Sequence, residues 1–164
     1  MGNLTQSPRN FRELVLADLL RAQRLIQRMD DEIDPQFRIA SAEGDWWIGI
    51  TLSDDLKTRE LQMRMVSRFM QWKMSPAFTV ASELKEPEAV CCVGISHREC
   101  HGVLSHIARS PLRFSREQWL TREQIGDELP AMLPRGTTVL DDRAIAELKD
   151  LFGAQGKFPA VQIG

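Results

Sequence analysis

The 164-residue sequence holds no uninterrupted apolar run near the roughly 20 residues a membrane span requires, so it is not expected to cross a bilayer. No basic flank followed by an apolar run stands near Met1, so no secretory leader is expected. Gln6 occupies the place where myristoylation would want Ser or Thr. Cysteine is scarce: three residues, an odd number, with Cys91 and Cys92 adjacent, exclude a disulfide framework. The expected setting is reducing and cytoplasmic. Positive charge is not in excess, since 21 Lys and Arg against 23 Asp and Glu give a net charge of −2. Nucleic acid is disfavoured as a partner, because a phosphate-backbone binder normally shows a basic face. Apolar residues are not lacking. At 43% hydrophobic and 27% charged the chain reads as an ordinary globular protein. Its length fits one domain, 1–164, that buries about two thirds of its unfolded surface without a metal or disulfide staple.

What is present is a repeat. Phe37-Arg38-Ile39-Ala40-Ser41 followed by Trp47-Ile48-Gly49-Ile50-Thr51 is echoed by Phe78-Thr79-Val80-Ala81-Ser82 followed by Cys92-Val93-Gly94-Ile95-Ser96. The turn between the halves is four residues longer in the second copy. Each copy runs into a helix-like stretch. Two copies of strand, strand, helix over 37–109 predict one pseudo-symmetric core rather than a solenoid, since stacked arrays need about three units to bury their faces. Chance similarity between two half-buried strands is the competing reading.

Ahead of this core, Ser7-Pro8 reads as a helix start, with Ser as N-cap and Pro at the first helical position. The helix is expected over 7–31, carrying Phe11, Val15, Ala22, Ile26 and Met29 on one face. Leu14, Leu16, Leu19, Leu20 and Leu25 widen that stripe, so cover on more than one side is expected. Arg21, Arg24 and Arg28 form either an anion-binding strip or a solvated outer face. Asp34-Pro35 ends the segment, because the residue before proline is pushed out of the α region. Ser53, with Asp54 and Asp55 in the first turn, opens a second helix with Leu61, Met65, Phe69 and Trp72 on one line and Met63, Val66 and Met70 beside it. Such a Met-rich stripe is core or an adaptable binding groove.

Ser96 to Glu99 reads S-x-x-E, a capping box, so 100–108 is predicted as a third helix, with a strand as the competing assignment. Beyond Pro111 the pattern changes. Ser115–Gln118 and Thr121–Gln124 repeat the capping signature and predict two short helices reaching Met132 or Leu133. Asp141 caps a last helix stopped by Gly153, and Phe158 to Ile163 is a candidate edge strand. Residues 115–164 thus read as a helical extension.

All three cysteines and all three histidines fall between Cys91 and His106, the clustering typical of a metal site. On a helix His97 and His101 would share a face. His106 would be out of phase, and Cys91 and Cys92 would point to opposite sides of their strand, so no four-ligand set can be assembled. No CxxC occurs. His97-Arg98-Glu99 matches half of the zinc deaminase signature, but no downstream P-C-x-x-C completes it, and H-E-x-x-H fails by one position. No G-x-G-x-x-G, GKS or G-x-S-x-G string is found. Neither a metal nor a cofactor is expected.

The predicted architecture is therefore a two-layer α+β domain. An antiparallel sheet is built from two β-hairpin-plus-helix units, preceded by a long N-terminal helix and followed by the helical extension. Alternation assigns the heavily apolar face to Phe37, Ile39, Trp46, Ile48, Ile50, Leu52, Phe78, Val80, Val93 and Ile95. The opposite face carries Arg38, Ala40, Trp47, Gly49, Thr51, Thr79, Ala81, Cys92, Gly94 and Ser96. Its small residues leave room for a helix of the chain, a second subunit or a ligand. Trp47, Arg38, Thr51, Thr79, Cys92 and Ser96 are the candidate ligand- or partner-binding residues. The expected function is a cytoplasmic binding or protein-interaction module without catalysis, a homo-oligomer or protein partner being favoured over a small-molecule ligand. The alternative is a metal-assisted hydrolase using His97, His101 and Glu99.

Overall fold

The computed structural model describes residues 10–29, 32–134 and 140–147 and the backbone of 161–163. The elements, in chain order, are α1 (Phe11–Met29), β1 (Gln36–Ile39), β2 (Asp45–Gly49), α2 (Leu56–Trp72), β3 (Ala77–Lys85), β4 (Glu88–Ser96), β5 (Cys100–Arg109), β6 (Leu112–Phe114), β7 (Gln118–Trp119), α3 (Arg122–Ile125), α4 (Glu128–Met132) and β8 (Val161–Ile163). A further helical stretch covers 142–147, where Asp141 Oδ1 accepts from the Ala144 amide at 2.8 Å as the expected cap. The fold is α+β, with one antiparallel sheet in the order β6-β5-β4-β3-β1-β2-β8 and β7 also paired to β5.

Period-two alternation sorts the strand residues onto two faces, and each face gains its own helical cover. Phe37, Ile39, Trp46, Ile48, Ile50, Phe78, Val80, Val93 and Ile95 form the larger core with Val66, Phe69 and Met70 of α2 and Met132 of α4. Phe69 anchors it, edge-on to Trp46 at 6.1 Å and to Trp72 at 5.6 Å. A buried side chain of this size contributes about 1.5–3 kcal/mol of transfer free energy. The second core joins Val15, Leu19, Ala22 and Ile26 of α1 to Ala81, Val90, Cys92, Val103 and Ile107. The two-layer expectation is thus corrected to three layers, because the face of small residues is itself covered by α1. Leu20 and Met29 are exposed, so the cover expected on more than one side of α1 is not seen among the described residues. On α2 the buried line runs through Val66, Phe69 and Met70, while Leu61 is exposed.

The third helix is a strand. Ser96 Oγ does accept from the Glu99 amide at 3.0 Å, as in a capping box, but the Ser96 amide donates to the Glu99 carbonyl at 2.9 Å. That bond closes a tight turn, and Ile95 then pairs with Cys100 to start the β4–β5 ladder. The strand-strand-helix repeat fails at its last unit for this reason. Its first halves are placed symmetrically, with Phe37 opposite Val80 and Ile39 opposite Phe78 on either side of the Arg38–Thr79 pair. Its second halves slip by two residues: Gly49 pairs with Gln36, whose counterpart Ala77 pairs with Ser96 rather than Gly94. The two glycines therefore occupy unlike positions.

After Ser110 the chain lays β6 and β7 end to end along the outer edge of β5. Ser115 does not cap a helix there; its hydroxyl accepts from the His106 amide at 2.9 Å and holds the break between the two strands. The second signature is a true capping box, with Gln124 N on Thr121 Oγ1 at 3.2 Å and Thr121 N on Gln124 Oε1 at 2.8 Å, and it opens α3. The expected Ser7-Pro8 cap and the Gly153 stop lie outside the described residues. Of the candidate edge strand only 161–163 is described, and it pairs with Asp45–Trp47 at the sheet edge.

Candidate functional site

Four of the six candidate binding residues, Arg38, Trp47, Thr79 and Cys92, lie on the sheet face beneath α1. A buried carboxylate organises them. Asp18, 4% exposed in the middle of α1, accepts from Thr79 Oγ1 at 2.6 Å and lies 3.6 Å from Arg38. Arg38 Nε in turn lies 3.4 Å from Asp45. The Arg21 guanidinium stacks 3.6 Å over the Trp47 ring, and that of Arg38 lies 4.8 Å from it. Loss of water raises the Asp18 carboxyl above its usual range, an effect opposed by the Thr79 hydrogen bond and by Arg38. Burial, reinforced by Asp18, pushes the Cys92 thiol well up, so it is an inert core residue. Trp47 is 4% exposed, and a small cavity of about 40 Å³ lies beside Arg38, Asp45 and Thr79. The helix of the chain, one of the three covers weighed for this face, is the one present.

Thr51 and Ser96 do not join the cluster. Thr51 is exposed and donates to Asp34 at 2.8 Å, and Ser96 serves the β4–β5 turn. The histidines separate as well. His97 is exposed in that turn. His101 points to the α1 side, between Phe11 and Trp119 at 6.3 and 6.4 Å, with Glu99 Oε1 2.8 Å from its Nε2. His106 alternates to the other face. Strand geometry removes the one-face pairing of His97 and His101, and among the described residues no three His, Cys, Asp or Glu side chains are grouped to hold a metal ion.

A larger concavity lies elsewhere. Between α2 and α4 runs a groove of about 670 Å³ with Met63, Leu129 and Met132 in its apolar lining and Leu56 at its mouth. Arg59 and Arg64 stand on its α2 side, with Glu60 between them, and Glu128 stands on its α4 side. One end is closed where Ser67 Oγ donates to the Met132 carbonyl at 2.6 Å. Asp55 fixes the other end by capping α2, accepting from the Thr58 amide at 3.0 Å. Arg59 Nε donates to the Ser53 carbonyl at 3.0 Å, which ties this lining side chain to the loop ahead of α2. Leu56 at the mouth is 65% exposed. Among the described lining residues the one hydroxyl is committed to Met132, and no histidine or cysteine is present. Such a lining can bind an apolar surface and orient charge; it offers no nucleophile paired with a base. Met63 and Met132 are the flexible side chains that suit an adaptable lining.

The sequence reading singled out the Met-rich stripe of α2 but not the groove, which needs α4 as its second wall. It also passed over Asp18. No protein-family model matches the chain, and no curated protein or solved structure matches it.

Proposed function

We propose that the chain is a binding module without catalysis, and that the α2–α4 groove is the surface it offers to a partner. The observation that carries this reading is the groove itself: an apolar lining left open between two helices, rimmed by charged side chains. Large concavities lined by apolar groups with a few polar ones at the edge are the usual seats of recognition. The cluster of Arg38, Trp47, Thr79 and Cys92 then serves binding indirectly, by anchoring α1 and stiffening the sheet on which α2 rests.

A generic apolar probe tests this. Anilinonaphthalene sulfonate should fluoresce on binding the purified chain. The response should fall several-fold in Leu56→Glu and Ala131→Glu variants, which place charge in the groove from exposed positions without touching the core. Circular dichroism must report an unchanged fold in both. Dye binding that is absent, or unaltered by either substitution, would remove the groove from consideration.

A further inference from the structure

The occupant of the groove can be specified from its shape and charge, on the premise that the groove is the binding surface. From Leu56 to Ser67 its α2 wall advances eleven residues, about 16 Å at the α-helical rise. Both walls are helices, whose backbone groups are already hydrogen-bonded internally. An extended peptide laid there would find no strand edge to pair with, whereas a helix brings its own backbone bonds. The groove is open to solvent along its length, unlike the enclosing sites that bury most of a small ligand.

The two walls also differ in sign. Over Leu56–Trp72, α2 carries Lys57, Arg59, Arg64 and Arg68 against Glu60 alone. The opposite wall, α4, presents Glu128 to the groove and carries no basic residue over Glu128–Met132. Among the described residues no ion pair joins the walls, so Arg64 and Glu128 keep their charges for a partner. We infer that the groove takes an amphipathic α-helix of about three turns from a partner protein. Its apolar stripe lies on Leu56, Met63, Leu129 and Met132, its acidic flank faces Arg59 and Arg64, and its basic flank faces Glu128. Because the walls are unlike, a helix with segregated flanks enters in one direction only.

Two synthetic helical peptides of identical composition, labelled for fluorescence anisotropy, decide the matter. Both carry leucines on one stripe; the first has glutamates on one flank and lysines on the other, the second mixes both charges on each flank. The segregated peptide is expected to bind about fivefold more tightly at low salt, the yield of two or three rim pairs, and the advantage should shrink as salt rises. In an Arg59→Glu, Arg64→Glu variant, checked for fold by circular dichroism, the advantage should vanish. Equal binding of the two peptides overturns the charge argument. Failure of both peptides while the dye still binds overturns the helix and leaves the groove; failure of dye and peptides together overturns the groove.

Discussion

Adding one methyl group at Gly94 should lift α1 from the sheet. A Cβ built at that position would lie 2.3 Å from Val15 Cγ2 and 3.0 Å from Phe11 Cζ, far inside normal contact. Val15 cannot swing aside easily, because a β-branched residue in a helix is held to one rotamer. The first turns of α1 must therefore move outward, disturbing Val15 and Leu19, both fully buried. Overpacking of this kind costs about 1–3 kcal/mol. Replacing glycine also narrows the unfolded ensemble, which returns about 0.4–1 kcal/mol, so Gly94→Ala should be destabilising by about 1–2 kcal/mol net. With a urea slope of about 2 kcal/mol/M, the midpoint should fall by about 0.5–1 M. Gly49→Ala is the control. Its Cβ would meet the Gln36 side-chain amide at 2.9 Å, the far end of a flexible chain that can rotate away, so the change should stay within about 0.5 kcal/mol. Combining Gly94→Ala with Val15→Ala should cost less than the sum of the two alone, since the clashing methyl is gone. Strict additivity, or a Gly94→Ala protein as stable as its parent, would refute the packing assigned to α1.

Trp46 and Trp47 face opposite sides of the sheet yet are 7% and 4% exposed, so alanine at either should cost about 3–5 kcal/mol in chemical denaturation, with no change of sedimentation coefficient in the folded state. A Trp47→Ala protein of parental stability that had lost self-association would reopen the face beneath α1. Of the three thiols, Cys100 is half-buried while burial pushes the Cys91 thiol up to about 11 and that of Cys92 well above the ordinary thiol value, so a thiol reagent in native buffer should label Cys100 first and the others only on unfolding. Asp18 has a raised pKa in the folded chain, so its contribution is fully present below the unfolded value and is lost as pH rises through the folded one. Denaturation curves of Asp18→Asn should accordingly gain on the parent as pH rises above about 4, the ordinary carboxylate value, and parallel curves would contradict the burial of that carboxylate.

The apolar sheet face was legible because strand periodicity is an intrinsic property of the backbone. Once Trp46, Ile48 and Ile50 alternate with Trp47 and Gly49, only one pairing register buries the larger set. Ser96–Glu99 shows where such reading stops. A serine that accepts from an amide three residues on serves a helix start and a tight turn alike. What separates the two is the next segment's neighbour, and β4 was already in place to pair with 100–109. Cys100, Val103, Leu104 and Ile107 fit a helical stripe on paper. In the sheet Val103 and Ile107 point to α1 while Cys100 packs on the other side.

Asp18 and the groove were illegible for different reasons. An aspartate inside an amphipathic helix reads as solvent-facing, and only the chance of Thr79 and Arg38 meeting it across the sheet makes its burial tolerable. The groove has no local signature because its walls are some sixty residues apart in sequence. It arises from unequal lengths. α2 spans seventeen residues, about 25 Å, while α4 spans five and α3 four, so among the described residues the helical layer stays open beside Leu56 and Met63, even with Leu140, ahead of the 142–147 helical stretch, packed on the larger core. Ser67 pins the short helix to the C-terminal half of α2, and Leu56 at the other end is left facing solvent. Over β3, β4 and β5 the opposite face is spanned by a single nineteen-residue helix, α1. An added helix beside Leu56 and Met63 would cover the opening in the thinner layer in the same way that α1 covers those strands.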